Sequence, residues 1–245
     1  MNNNTTITRL HQMHLWGMAQ VHAGHLKDNL YATHTLDQYT ALLTDQEWER
    51  RQNKKIARLI KMAGFRIAAS LRDVDYATSR NLDRNVFDRL ADLSFIKQKE
   101  NLIITGPTGV GKSYLAQALG NQACLLEYKT MYALTARLFS KLKVAKLEGS
   151  YLKEIERIQK AHLLILDDFG LQPFDNHYRE ALLDIVEDKY NKSSVIIASQ
   201  IPVAKWHELI GEGTIADAIL DRLINSSHRL ELKGQSMRKK LSDKK

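Results

Sequence analysis

The sequence predicts a three-layer α/β domain around a five-stranded parallel sheet, preceded by a small all-helical domain. Three observations predict it. From about residue 101, short β-rich runs alternate with helical stretches: NLIIT, KTMYALT, AHLLILD, SSVIIAS and HRLELK. Near-continuous apolar strands separated by helices are buried on both faces, which is the pattern of a parallel sheet between two helical layers. Residues 1–66, by contrast, hold no convincing strand, and three prolines in 245 residues leave helices uninterrupted. The length also suffices for one large α/β domain plus a small helical one.

In chain order, residues 1–66 form the helical domain and residues 67–245 the α/β domain, with 67–85 as a connector. Within the first, Thr44 followed three residues later by Glu47 reads as a capping box that starts a helix running to about Gly64. His11, His14, His22 and His25 fall within one arc of an ideal helix. Gly17 is expected to break that helix, and no acidic or thiolate ligand joins the four, so they read as solvated or phosphate-facing rather than as a metal stripe. Cys124 is the only cysteine, which excludes a disulfide framework and places it in the core of a helix. No apolar run reaches the ~18 residues that span a bilayer. The opening MNNNTTITRL lacks the basic start and apolar stretch of a signal peptide, so a cytoplasmic protein without membrane attachment is expected.

The chemistry begins at GPTGVGKSY. Gly106, four residues, then Gly111, Lys112 and Ser113 is the spacing of a phosphate-binding loop, and it lies between strand NLIIT and helix KSYLAQALGNQACLL, as that motif requires. Glycines let the backbone of Gly106, Pro107, Thr108, Gly109, Val110 and Gly111 wrap phosphate oxygens with the N–H groups of its non-proline residues, and the helix start at Lys112, Ser113 and Tyr114 adds a favourable dipole. Lys112 is placed to neutralise the β- and γ-phosphates and Ser113 to ligate Mg²⁺. About 55 residues on, LLILDDFG delivers two carboxylates to the tip of a buried strand. Asp167 is expected to hold Mg²⁺, and Asp168 to polarise an attacking water or else to serve as a turn residue. The DFG tripeptide has no catalytic-loop HRD beside it, and NKSS at 191–194 ends in Ser194 where a guanine-reading N-K-x-D needs an acid. ATP and Mg²⁺ are therefore the expected cofactors, and hydrolysis the expected reaction.

A second feature concerns the partner. The net charge is +8, which favours polyanions. Between Arg50 and Arg66 there are seven Lys or Arg and no acid. Arg51, Lys54, Lys55, Arg58 and Lys61, with Arg50 beside them, cluster along one side of a helix. Such a stripe gives salt-dependent, sequence-tolerant affinity for DNA phosphates. Lys141, Lys143 and Lys146 line either a second DNA-facing surface or an ordinary solvated face.

From NLDRNVFDRLADLSFIKQKENLIITGPTGVGKSYLAQALG through LLILDDFGLQPF and SVIIASQIP to ILDRLINSSHRLELKGQSMRKK, the chain resembles the IstB family over nearly its whole length. These are helper ATPases of bacterial insertion sequences, close to the DnaC-type helicase loaders within the AAA+ class of P-loop NTPases. The resemblance implies that Ser199 or Gln200 is the polar sensor, that Arg222 is an arginine finger reaching a neighbour's nucleotide, and that Arg238 meets phosphate. A salt bridge from Arg222 to Asp221 or Asp217, and a solvated basic tail at Arg238, are the plainer readings. After HRLELK about a dozen residues remain, too few for the helical lid of the wider class. A second copy is then expected to complete the site, in a ring or spiral of subunits. The implied function is an ATP-dependent regulator that assembles on duplex DNA, recruits or stimulates a cognate transposase, and is reset by hydrolysis. A replicative helicase loader of the DnaC type is the alternative, and a small-molecule P-loop kinase a third reading that predicts DNA-independent turnover.

Overall fold

The computed structural model describes residues 3–28 and 34–237. The chain divides into two compact units, Met1–Arg58 and Leu59–Lys245.

In the first unit, α1 (Asn3–Gln12) and α2 (Trp16–Lys27) are followed by the long α3 (Leu36–Ala63), which carries the division between units. The chain turns between α1 and α2 at residues 13–15, where His14 adopts φ 59°. The break thus comes before Gly17, which lies buried in the first turn of α2. Helix α3 starts nine residues earlier than a cap at Thr44 predicts. Its capping box is Thr35 and Gln38: the Gln38 N–H donates to Thr35 Oγ1 (3.2 Å) and the Thr35 N–H to Gln38 Oε1 (3.0 Å). Thr44 sits inside the helix and donates back to Thr40 O (3.0 Å) and Ala41 O (2.8 Å). Glu47, read as a capping partner, is instead buried and accepts from the Gly17 N–H (2.6 Å).

The second unit runs α4 (Arg84–Ala91), α5 (Ser94–Gln98), β1 (Asn101–Thr105), α6 (Lys112–Leu125), β2 (Thr130–Leu134), α7 (Thr135–Leu147), α8 (Tyr151–Gln159), β3 (Leu163–Phe169), α9 (Asn176–Lys189), β4 (Ser194–Ser199), α10 (Trp206–Ile210), α11 (Gly213–Ile224) and β5 (Ser227–Glu231). The five strands fall on the five predicted runs. They form one sheet in the order β2-β3-β4-β1-β5, every neighbouring pair parallel. This is the predicted three-layer α/β fold.

Strand periodicity explains the layers. Leu102, Ile104, Leu163, Ile165 and Ile196 face a core shared with α4, α5 and α6, while Ile103, Leu164, Leu166, Val195 and Ile197 face a core shared with α7 to α11. Each such fully buried side chain contributes roughly 1.5–3 kcal/mol of transfer free energy. Cys124 is fully buried in α6, and burial raises its thiol pKa. Residues 67–83 pack onto this unit: Val74 and Arg80 are buried, and Tyr114 Oη bonds both the carbonyl (3.2 Å) and the N–H (3.4 Å) of Ser70. Among the described residues no helix is long and apolar enough to cross a membrane.

Candidate functional site

Strand β1 ends at Thr105 and the chain loops through Gly106–Gly111 into α6, at the C-terminal edge of the sheet. The first amides of a helix have no partner within it, so those of Gly111 to Tyr114 are available to a ligand. Glycine is required at three loop positions, the first being Gly106, whose φ is 147° and whose Cβ would collide with the Leu232 carbonyl. Gly111 has φ 104°, and a Cβ there would collide with the Arg80 guanidinium. Gly109 has φ 78°, and its Cβ would collide with the Ser236 hydroxyl. The Lys112 side chain curls across the loop, its Nζ donating to Pro107 O (2.8 Å). Thr108 Oγ1 donates to Gln200 Oε1 (2.5 Å).

Asp167 is 2% exposed, yet its carboxylate is satisfied. Oδ1 accepts from Ser113 Oγ (2.9 Å) and from the Asp168 N–H (2.9 Å), and Oδ2 accepts from the Tyr132 hydroxyl (2.7 Å). The Asp167 carbonyl accepts from Thr135 Oγ1 (2.7 Å). Burial first, then the hydrogen bond to Asp167 and its charge, push the Tyr132 hydroxyl well above its ordinary pKa. A hydroxyl and a carboxylate side by side at the mouth of a phosphate-binding loop form a hard-oxygen pair that fits Mg²⁺.

Asp168 is where β3 stops behaving as a strand. Its φ is 56°, and the pairing of β3 with β4 shifts register between Leu166 and Phe169. A bulge of this kind turns a side chain out of the sheet plane, and a left-handed aspartate is a strained position of the sort that clusters at functional sites. Ser199 meets the loop only through its carbonyl, which accepts from the Gly106 N–H (3.3 Å), while its side chain is turned elsewhere. It is fully buried, donates to Phe169 O (2.7 Å) and accepts from the Ile201 N–H (3.0 Å), pinning the end of β4 to the bulge. Of the two sensor candidates, Gln200 is the one that reaches the loop. The Tyr114 side chain is turned away toward Ser70, leaving its main chain for the site.

Arg222 lies at the opposite edge. Asn101, the first residue of β1, donates from Nδ2 to Arg222 O (3.2 Å), whereas the phosphate loop follows the last residue of that strand. Five residues of strand separate the two, roughly 15 Å. The guanidinium bonds Ala218 O (2.8 Å), pairs with Glu187 (3.3 Å) and lies over the Tyr190 ring at 5.9 Å. Asp221 and Asp217 are engaged elsewhere: Asp221 accepts from Asn225 (2.5 Å) and Asp217 pairs with His207 (3.2 Å). Arg238 lies outside the described residues.

The basic residues divide into two groups. Glu47 takes Arg51 at 2.7 Å and Arg50 at 3.7 Å. Burial alone would raise the Glu47 pKa, but hydrogen bonds from Arg51 and Gly17 and the two arginine charges hold it below the ordinary value. Lys54, Lys55, Arg58 and Lys61 are exposed. Lys141, Lys143 and Lys146 each pair with an acid, Glu154 (2.6 Å), Asp175 (3.2 Å) and Glu180 (2.8 Å), the plainer of the two readings.

Two residues with a hand in the site escape sequence reasoning. Tyr132 gives no signal because one tyrosine in a strand is unremarkable. Arg80 lies in what reads as a connector, yet it is 4% exposed and its guanidinium bonds Val110 O (3.0 Å) and Asp75 O (2.8 Å). Its own carbonyl accepts from the Lys233 N–H (2.9 Å), and the Met237 N–H donates to Gly109 O (2.9 Å), so the segment after β5 is laid along the phosphate loop.

Comparison with known proteins agrees with this arrangement. The profile of the IstB-like ATP binding proteins (IstB_IS21) matches residues 8–245. A putative insertion sequence ATP-binding protein of Sinorhizobium fredii is 41% identical over 96% of this chain and 96% of its own length. The insertion sequence IS21 putative ATP-binding protein of Pseudomonas aeruginosa is 32% identical over 83% of this chain and 77% of its own. In fold, the chain is similar to the crystal structure of DnaI, with TM-score 0.56, 22% identity, and coverage of 72% of this chain and 93% of that one. The DnaC helicase loader follows with TM-score 0.53, 21% identity, and coverage of 65% and 95%.

Proposed function

Because the chain belongs to the IstB-like family of insertion sequence ATP-binding proteins, we propose that it is a Mg²⁺-dependent ATPase that assembles on duplex DNA and engages a partner transposase, hydrolysis resetting the complex. The observation that carries this reading is the cluster at the loop: Lys112 across the phosphate-binding backbone, Ser113 against Asp167, and Asp168 next in the chain, in a left-handed conformation at the register shift of β3.

The roles follow from chemistry. The loop amides and the start of α6 bind phosphate oxygens, and Lys112, now on Pro107 O, exchanges that carbonyl for them. Ser113 and Asp167 hold Mg²⁺, which when bound offsets the charge that develops on the phosphates. Tyr132 keeps the second oxygen of Asp167 in place. Asp168 accepts the proton of the attacking water, and Gln200, joined to Thr108, reports the state of the loop. Arg222 cannot serve its own loop from the far edge of the sheet, so it acts on the nucleotide of a second copy, where a planar guanidinium spreads charge over phosphate oxygens. Lys54, Lys55, Arg58 and Lys61 contact DNA phosphates, with Arg50 and Arg51 committed in part to Glu47. A cytoplasmic location accords with such substrates.

The test is the ATPase rate with and without duplex DNA for the wild type, Asp168→Asn and Arg222→Ala. Both variants should bind ATP with little change and lose at least about a hundredfold in DNA-stimulated turnover, the low end of what a positioned base or charge supplies. Full stimulated turnover in Arg222→Ala removes the finger. Tighter binding of single strands than of duplex in a filter titration replaces transposition with helicase loading.

A further inference from the structure

Resting on the reading of Arg222 as a group that acts on a neighbour, we propose that Glu187 and Tyr190 form a holding site that keeps the Arg222 guanidinium on its own protomer until the anionic ligand of a second copy draws it away. Glu187 and Tyr190 flank the C-terminal end of α9, and Arg222 lies in the last turn of α11, two helices packed against each other in the same core. Three contacts define the held state. Nη1 donates to Ala218 O (2.8 Å), Nη2 meets Glu187 Oε1 (3.3 Å), and the guanidinium carbon lies 5.9 Å from the centre of the Tyr190 ring.

The carboxylates nearest in sequence are committed elsewhere, Asp221 to Asn225 and Asp217 to His207. The acid that meets the guanidinium is therefore supplied by a different helix. Arg222 also lines a small cavity with Lys99, Asn101, Lys189 and Tyr190. Lys99 is exposed there, whereas the Lys189 ammonium is buried against Ala161 O, and Glu187 offsets part of the Arg222 charge while no anionic ligand is present.

The strength of the hold matches such a role. The side chains of Arg222 and Glu187 are 29% and 52% exposed, so solvent screens the pair. A pair this open favours the held state by a factor of about two to five. The ring sits near the ~6 Å limit for a cation–π contact and adds little beyond orientation. A triphosphate with several negative charges outcompetes this hold, while an isolated subunit keeps its guanidinium parked. Glu187 is thus a positioning residue that acts through Arg222.

The experiment measures ATPase rate against protein concentration on duplex DNA for the full chain, comparing wild type, Glu187→Gln, Glu187→Asp and Arg222→Ala. Glu187→Gln should lower the half-saturating protein concentration about two- to fivefold with the saturated rate unchanged, and Glu187→Asp should stay near wild type. In an Arg222→Ala background, adding Glu187→Gln should leave sedimentation of the assembly with a non-hydrolysable ATP analogue where Arg222→Ala alone puts it. A Glu187→Gln curve that overlays wild type, or a fall in its saturated rate, overturns the holding site while leaving the finger intact. A shift that persists in the Arg222→Ala background also overturns it, because Glu187 then acts through another group. Full stimulation in Arg222→Ala removes the finger itself and is read independently of Glu187.

Discussion

Removing one hydroxyl at Tyr132 should destabilise the α/β unit measurably. In Tyr132→Phe the ring keeps its place, tilted against Phe65 with centroids 6.4 Å apart, and the hydroxyl's hydrogen bond to Asp167 Oδ2 (2.7 Å) is lost together with its weaker interaction with Arg66. Both partners are buried, at 8% and 2% exposure, so no solvent discount applies. Ser113 and the Asp168 N–H both reach Oδ1 and cannot substitute at Oδ2. A hydrogen bond to a buried charged acceptor is worth about 1.5–3 kcal/mol. For a unit of this size each kcal/mol moves the melting temperature by roughly 2–4 °C, giving a fall of about 3–12 °C by calorimetry of the full chain. The pH dependence supplies a second readout. The hydroxyl titrates higher in the folded state than its ordinary value of 10.0, so its contribution is complete below that pH and is lost as pH rises above it. Wild type should therefore lose stability faster than Tyr132→Phe above about pH 10; Tyr151, raised in the same way, is common to both. A Phe variant that melts within about 1 °C of wild type, with parallel pH curves, would refute the idea that this hydroxyl holds the Asp167 carboxylate.

Three further outcomes are expected. Lys189 is buried against Ala161 O (2.5 Å), and burial lowers its pKa to about 8 from 10.5. The unfolded chain binds more protons between those values, so stability rises as pH climbs from about 8 toward 10; Lys189→Met should flatten that rise in urea titrations, and a slope equal to wild type would count against it. Glu47→Ala should leave the Gly17 N–H without its acceptor and free Arg50 and Arg51, costing the first unit about 1–3 kcal/mol. Faster hydrogen exchange at Gly17 is the observable, and unchanged protection there speaks against the anchor. Replacing Lys54, Arg58 and Lys61 together by Gln should reduce the slope of log affinity for duplex DNA against log salt by roughly 2–3, while the same change at Arg50 and Arg51 should do less. Equal slopes for the two variants would show that Glu47 does not restrain the arginines.

The sheet was legible because the strands at its centre, β1, β3 and β4, are runs of apolar residues, a signal that survives without tertiary information. The loop was legible because phosphate binding fixes glycine, lysine and serine at set spacing, and the buried strand ending in two acids because apolar residues must precede an internal carboxylate. Helix α3 shows the limit of local rules. Thr44 and Glu47 satisfy the capping-box pattern, but an equally good box stands at Thr35 and Gln38, and Glu47 is claimed by Gly17 from another helix. The pairing of Lys141, Lys143 and Lys146 was invisible for the same reason, since their acids lie thirteen or more residues away on α8 and α9 or beside α9. Arg80 and Tyr132 were invisible because their importance lies in what they meet, Val110 and Asp167, and neither contact leaves a local pattern.

The placement of Arg222 constrains how copies of the chain can associate on the proposed reading. The loop with Lys112 follows the end of β1, and Arg222 is tied through its carbonyl to Asn101 at the start of the same strand. A contact that delivers one copy's Arg222 to another copy's loop joins the N-terminal edge of one sheet to the C-terminal edge of the next. Those are different surfaces, so the contact is heterologous, and a twofold dimer of identical patches cannot form it. Each added copy presents a fresh loop at one end and a fresh Arg222 at the other, and growth stops only by closing a ring. Asymmetric growth suits a duplex, whose phosphates repeat along an axis and can gather successive subunits in register. Stimulated turnover should accordingly rise with DNA length until the duplex accommodates at least two subunits, and a rate that is the same on the shortest bound duplex and on long DNA would argue for a self-sufficient subunit.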